Sequence, residues 1–398
     1  MAGARRLLRR ETLEAFSRPL LGRLLAPHRE ALVRAGVDVD GLAHPQGDPD
    51  RDAPLVALYR LTCKPDGQLP QALCDALVDL DAVATSAGHD ALTAALSASA
   101  LSALSATNVP SLGAASAADV ALSALLDQPS AFRSARVRVA SDAPARYHEY
   151  DGETGRVPGD PEAHGPALEA ALSRWFDAQR RSAYTDVFCV RTDAEIVWEI
   201  THGTLLRQVS LVAEGRRTHQ PQRPTKRDLC ILDRATGRLA IRACMPTERE
   251  MYRKTFGATL FQDEHHYALR PTLDLAPLGH AGAVPPTAGV GAVRVLELTM
   301  LTDGRRTTWL RDAEDLTPYL QTDEGRDLRA RSVVQAAILG FVFPHRRGLY
   351  RVEIAPPNAL RCDHRDGAAE AQVKALLVAR GILSPPRGRV DGRLAAGA

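Results

Sequence analysis

The stretch from Asp186 to Gly257 reads as an antiparallel sheet with a basic loop, closed by a helix; in its core the apolar residues recur with a period of two, the spacing that sends alternate side chains to opposite faces of a β-strand. In Glu195-Ile196-Val197-Trp198-Glu199-Ile200, the residues Ile196, Trp198 and Ile200 share one face, and Glu195 and Glu199 share the other. A polar break of hairpin length, Arg191 to Ala194, separates this strand from the apolar run Val187 to Val190. Leu205, Val209 and Leu211 predict a third strand and Leu229 to Leu232 a fourth. Asp233 to Gly237 reads as a hairpin loop with glycine at the left-handed position, leading to Leu239 and Ile241 facing inward and Arg238 and Arg242 outward. The expected unit is an antiparallel meander of about five strands. Thr247 followed by Glu250 has the capping-box spacing and opens a closing helix, with Gly257 as its C-cap.

Before this stretch the period changes. Leu20, Leu21, Leu24 and Leu25 form a helical stripe, as do Leu73, Ala76, Leu77, Leu80 and Val83 behind Pro70. The Ala/Ser/Leu run Asp90 to Ala106 reads as a helix packed through small residues, and Ser116 with Asp119 repeats the capping box ahead of Val120 to Leu125. Four or five helices in a small bundle are expected. The polar, Gly- and Pro-rich stretch near Ala140 to Gly165 reads as a boundary. After it, Leu168, Leu172, Trp175 and Phe176 mark the buried stripe of a helix entering the sheet.

Beyond the meander, 276–291 reads as a linker, and Val293, Val295 and Thr307 to Arg311 as strands. Leu328 to Phe343 fits helix or strand equally. Tyr350, Val352 and Ile354 alternate up to Pro356-Pro357, Ala368 to Ala379 is a last helix, and the tail is expected to be disordered. The predicted fold class is α+β: an N-terminal helical module (1–135), a linker (136–165), and a largely antiparallel sheet domain with flanking helices (166–275). A second linker (276–291), a C-terminal α/β part (292–383) and the tail (384–398) follow.

With 45% hydrophobic and 25% charged residues the composition is that of an ordinary globular chain, and its 398 residues exceed one typical core. The formal net charge of +2 implies no polyanion partner by itself. Four of the 50 basic residues are lysines (Lys64, Lys226, Lys254, Lys374), an arginine bias expected of a GC-rich, bacterial-like genome. The six cysteines form no C-x-x-C pair, which argues against a zinc ribbon or redox dithiol and for a reducing, cytoplasmic setting. No run of about 18 apolar residues suggests a membrane span.

Lysine scarcity removes whole classes of chemistry. None of the four lysines follows a glycine, so there is no phosphate-binding P-loop. Gly289-Val290-Gly291 precedes its strand and has Arg294 where a dinucleotide fingerprint needs a third glycine. Glu199 and His202 have E-x-x-H spacing, but on a strand positions i and i+3 face opposite sides. In Asp263-Glu264-His265-His266 adjacent side chains diverge, so a single metal reaches at most one of the histidines. A sharper feature is the basic stretch Arg216, Arg217, Arg223, Lys226 and Arg227, stiffened by Pro221 and Pro224 and read as a loop at a sheet edge suited to phosphates. Arg5, Arg6, Arg9 and Arg10, or His345, Arg346 and Arg347, could make a second patch.

Three functional classes remain open. The preferred one is a non-catalytic binding protein or assembly subunit, meeting nucleic acid or a protein partner through Arg216, Arg217, Arg223, Lys226 and Arg227, with no cofactor, metal or membrane. A metal-dependent hydrolase or nuclease would assemble a site from residues distant in sequence, such as His202, Asp228, Asp263 and His265. A structural subunit would dock through the N-terminal helices.

Overall fold

The computed structural model describes residues 8–43, 53–63, 69–96, 116–153, 156–213, 216–268, 270–363 and 367–386. The chain divides into two compact units, Met1–Ala140 with Ser210–His219, and Ser141–Val209 with Gln220–Ala398. The class is α+β, N-terminal helices and a large antiparallel sheet. Among the described residues no helix is long and apolar enough to cross a membrane.

In the first unit the stripes form helices in shorter pieces than expected: α1 (Arg10–Glu14), α2 (Arg18–Leu25), α3 (Arg29–Arg34), α4 (Val39–Ala43), α5 (Ala53–Cys63), α6 (Gln71–Val83), α7 (Ser86–Ala95), α8 (Ala117–Asp127) and α9 (Pro129–Asp142). Leu21, Leu25, Leu58, Leu73, Leu77, Leu80 and Leu122 close one core. Ser116 caps α8 by accepting from Asp119 N at 3.1 Å, while the Asp119 carboxylate accepts from Ser17 N at 2.6 Å and so ties α8 to the start of α2. Residues 97–115, which include most of the Ala/Ser/Leu run, lie outside the described residues, as do Arg5 and Arg6. Arg9 pairs with Asp81 at 3.0 Å and Arg10 with Glu14 at 2.6 Å, so both have acidic partners.

The second unit is organised by one ten-stranded antiparallel sheet. Its strands are β1 (Arg146–Tyr150), β2 (Thr185–Arg191), β3 (Glu195–Gly203), β6 (Thr225–Asp233), β7 (Leu239–Arg242), β8 (Ala292–Thr302), β9 (Arg306–Arg311), β10 (Ser332–Val342), β11 (Leu349–Ala355) and β12 (Ala359–Cys362). Their order is β2-β3-β6-β7-β1-β12-β11-β10-β8-β9. Strands β4 (Arg207–Ala213) and β5 (Arg216–Gln222) form a separate two-stranded ribbon. The third strand read from the sequence is therefore β4, but β6 takes the place beside β3. Gly237 holds its left-handed φ of 71° in the β6–β7 turn, as that turn requires.

Helices α10 (Gly165–Ala178) and α11 (Pro246–Phe261) cover one face of the first four strands. Ile196, Trp198 and Ile200 pack there against Leu168, Leu172 and Phe176, with the Trp198 and Phe256 rings edge to face at 5.1 Å. Helices α12 (Ala276–Ala281), α13 (Thr317–Leu320), α14 (Asp323–Ala330) and α15 (Gly367–Ala379) accompany the other half, whose core holds Leu339, Phe341, Tyr350, Val352, Val373 and Leu377.

Several local expectations change. Residues 136–165, polar enough to read as a linker, contain β1, the strand that joins the halves by pairing His148 with Ile241 and Tyr147 with Leu360. It reads as polar because its charges are buried in pairs: Glu149 meets Lys374 at 2.8 Å, and the next residue past the strand, Asp151, meets Arg238 and Arg270 at 2.8 Å each. Arg238, expected outside, is buried for that reason. Residues 276–291 include α12, and 328–343 are helix and then strand. Met245, not Thr247, is the N-cap of α11. Gly257 lies inside that helix, which ends at Gln262 with φ 57°. A Cβ on Gly257 would stand 2.5 Å from the Asp263 carbonyl oxygen, a close approach that only glycine permits. Ser384, placed in the tail, donates its amide to the Thr272 carbonyl at 2.8 Å, and 387–398 lie outside the described residues.

Candidate functional site

Strands β3 and β6 are neighbours with His202 opposite Lys226 and Ile200 opposite Asp228. Alternation turns all four toward α10 and α11 and makes His202 and Asp228 diagonal neighbours. His202 Nε2 lies 3.1 Å from Asp228 Oδ2, and the Tyr252 hydroxyl, on α11, donates to the same oxygen at 3.0 Å. The other Asp228 oxygen meets Lys226 Nζ at 3.0 Å, and that ammonium reaches Glu248 Oε2 at 2.7 Å. Arg181 closes the row on Glu248 Oε1. Two of these residues, His202 and Asp228, are legible as candidates in the sequence; Lys226 is legible only as part of the basic stretch.

Helix ends supply the rest. After α10, Arg180 takes a left-handed φ of 57° and Arg181 N donates to the Phe176 carbonyl at 3.0 Å, the six-to-one bond of a helix-terminating turn. That turn sets the Arg181 guanidinium 5.6 Å from the rings of both Trp175 and Phe176. At the start of α11, Pro246 occupies the first position and Glu248 the third, where its carboxylate accepts from Met245 N at 3.1 Å and faces the positive end of the helix. Methionine has no oxygen with which to cap, so half of a capping box is present and the sequence pattern points two residues too far along.

Burial works against every charge here, and the pairing decides which wins. Burial lowers the Lys226 pKa, but Asp228 and Glu248 outweigh it and the net shift is upward. Burial raises that of Glu248, but hydrogen bonds from Lys226, Arg181 and the Met245 amide carry it below the usual carboxylate range. Burial, reinforced by the Asp228 charge, pushes the Tyr252 phenol far up, so it remains a donor. Glu248 therefore contributes stability that is complete above the ordinary glutamate pKa of about 4.3 and is lost as pH falls toward its lowered value. Lys226 contributes stability that is complete below about 10.4 and is lost as pH rises toward its raised value. Thermal midpoints measured across pH should hold between those limits and fall on either side, and Glu248→Gln should flatten the acid limb.

His202, Asp228 and Glu248 each offer a ligand atom within 4.8 Å of the others, the donor set of a metal site. Lys226 already supplies a positive charge between the two carboxylates, at 3.0 and 2.7 Å, so the residues present do not fit an added divalent cation. Nor is the His202–Asp228 pair arranged as a base. The second ring nitrogen, Nδ1, faces the Gly203 carbonyl at 3.0 Å, and the Phe176 ring lies parallel on the imidazole at 3.9 Å. A general base needs a nitrogen open to the reacting group. The groove of about 640 Å³ between α10 and α11 is lined by Trp175, Gln179, Thr247, Glu250 and Met251 among others, and no member of the cluster lines it.

Asp263 and His265 do not join the cluster. They follow the C-terminal end of α11, where the chain turns back so that the Asp263 carbonyl oxygen lies beside Gly257, about 14 Å along the helix axis from Glu248 in the first turn. His265 is exposed, with its ring near Glu264 and its amide donating to Asp263 Oδ1 at 2.8 Å. The basic residues separate as well. Arg216 heads β5, and its side chain lies outside the described residues. Arg217 donates to Ser210 Oγ at 3.2 Å, and Arg223 donates to the carbonyls of Arg180 and Thr204 at 3.0 and 3.4 Å. Lys226 is turned into the cluster, and Arg227, one residue along β6, is exposed on the opposite face. Searches with the sequence find no matching family model and no matching curated protein.

Proposed function

We infer that the chain works by binding and not by catalysis, as a cytoplasmic binding protein or assembly subunit that meets a polyanion through the exposed arginines Arg223 and Arg227. One observation carries the non-catalytic half: Lys226 Nζ lies 3.0 Å from Asp228 and 2.7 Å from Glu248, so the chain's own cation satisfies the acids a hydrolase would use. Support for the polyanion comes from Arg223 and Arg227, both exposed in a stretch without an acidic residue. The six free cysteines agree with a reducing compartment.

Fluorescence anisotropy of a labelled DNA duplex, repeated over a salt series, tests the reading. Two phosphate contacts predict an affinity that falls with salt at a logarithmic slope of about −1.8. Arg223→Glu with Arg227→Glu should weaken binding at least about tenfold and flatten the slope by about 2. Absence of binding, or binding indifferent to salt and to both reversals, removes the polyanion. Stoichiometric zinc or manganese in the purified protein, lost in Glu248→Gln, would overturn the non-catalytic reading in favour of a metal-dependent hydrolase.

A further inference from the structure

An open sheet presents a row of backbone groups at each end, and proteins usually cover or disrupt such edges. The ten-stranded sheet treats its two edges differently. On β2 the outward amide of Val187 donates to the Glu169 carboxylate of α10 at 3.4 Å. On β9, β8 is the neighbour on one side, and among the described residues no strand pairs on the other. The amide of Asp312 donates to the Leu296 carbonyl at 3.0 Å, in line with the register that sets Leu310 opposite Leu298 and Thr308 opposite Met300. Hydrogen-bonded pairs alternate along an antiparallel ladder. Leu310, Thr308 and Arg306 therefore direct their backbone groups to β8, while Thr307, Trp309 and Arg311 direct theirs away from the sheet.

The side chains of those outward residues also share one face, where Trp309 is 61% exposed. On the same face Thr307 stands opposite Leu301 and Leu301 opposite Val333, itself 68% exposed, so an apolar strip runs inward from the edge strand across β8 to β10. The strand contains no proline, and its pairing with β8 runs without a bulge. The usual devices that blunt an edge are reduced to an arginine at each end, Arg306 and Arg311.

We propose that β9 is a self-association surface, pairing antiparallel with β9 of a second copy about a two-fold axis at Trp309. The register follows from charge and geometry. Centred on Trp309, the match sets Arg306 opposite Asp312 of the second copy, and the symmetry makes that attractive contact twice. The Asp312 carboxylate is held at the strand end, where its Oδ1 accepts from Glu314 N at 2.7 Å and Asp315 N at 3.1 Å. Moving the centre to Thr308 sets Arg305 opposite Arg311, two like charges, and moving it to Leu310 runs past the end of the strand. The two Trp309 rings then flank each other on the exposed face, and each covers apolar surface that the single chain leaves in water. This surface stands independently of the polyanion reading, since no residue between 217 and 227 takes part.

Sedimentation velocity on the full chain over a concentration series up to about 100 µM reads the outcome. The wild type should pass from one to two chain masses. Trp309→Lys should hold the protein at one chain mass throughout, because two ammonium groups then meet on the axis. Thr307→Pro should do the same while keeping the Trp309 ring, since it deletes an outward amide and leaves the bonds to β8 intact. Unchanged circular dichroism and melting midpoint in both variants separate loss of pairing from loss of fold. A wild type that stays at one chain mass overturns the proposal. So does a dimer that survives both substitutions, since its contact must then lie elsewhere.

Discussion

Asp228→Ala is expected to cost about 3–5 kcal/mol of folding free energy, because it removes the one carboxylate on which the buried His202 and Tyr252 and the half-buried Lys226 converge. Lys226 would keep Glu248, but His202 and Tyr252 would each lose the acceptor they reach at 3.1 and 3.0 Å. Neither His202 nor Tyr252 can turn to water without disturbing the packing: His202 lies flat under Phe176, and Tyr252 is fully buried between Phe176 and Phe256. For a unit of this size the loss corresponds to a fall in melting midpoint of about 6–20 °C. The comparison that locates the cost is a double-mutant cycle with Lys226→Met. If much of the penalty is an uncompensated ammonium, removing both partners should cost less than the sum of the single changes by about 1–3 kcal/mol. Tyr252→Phe, which deletes one hydrogen bond and leaves the ring, should cost only about 1 kcal/mol. A midpoint for Asp228→Ala within a degree or two of wild type would show that the carboxylate is not the centre of the cluster.

The same cluster shows where sequence reading works here and where it stops. Alternation along β3 and β6 is strong enough to be read directly, and it determines that His202, Lys226 and Asp228 share a face once the two strands are paired in the observed register. What alternation cannot supply is the third dimension. Arg181 arrives from the turn after α10 and Glu248 from the first turn of α11, and neither position is marked by the usual residue. The left-handed residue that ends α10 is Arg180 where glycine would be expected, and the N-cap of α11 is Met245 where serine or threonine would be. Pro246 at the first helical position with Glu248 two residues on was the readable signal, but Thr247 and Glu250 offer a competing pattern in the same stretch.

A related failure of scale affects the basic stretch. Arg216, Arg217, Arg223, Lys226 and Arg227 are close in sequence, yet successive residues on β6 face opposite sides, so Lys226 turns, half-buried, toward Asp228 and Glu248 while Arg227 faces out. Charge density along a chain is a property of a loop; on a strand it is divided between two surfaces. The fold class survived these errors because it depends on the period of the apolar residues, which the sheet and its helices obey from Ile196 to Ile354.

The same separation of local and long-range information gives the second large effect. Asp151→Ala should cost about 3 kcal/mol, at the low end of what a broken buried pair costs, because its two arginines are not equally trapped. Arg270 is nearly half exposed and can turn its charge to solvent, whereas Arg238 is buried and keeps only a long contact with Glu149 at 3.9 Å and its bond to the Ser384 carbonyl. The position matters more than the magnitude. Asp151 follows β1, which pairs with β7 on one side and β12 on the other, and its own carbonyl accepts from Ala268 N at 2.9 Å. Loosening β1 should therefore lower amide protection in both neighbours together, at Leu239 to Ile241 and at Ala359 to Arg361, as hydrogen exchange would record. Asp151→Asn keeps the shape and removes the charge, so it should reproduce most of the loss if ion pairing holds the strand and little of it if packing does. Protection that falls in β7 alone would mean that the two halves of the sheet are separate cooperative units, and that β1 belongs to the first of them.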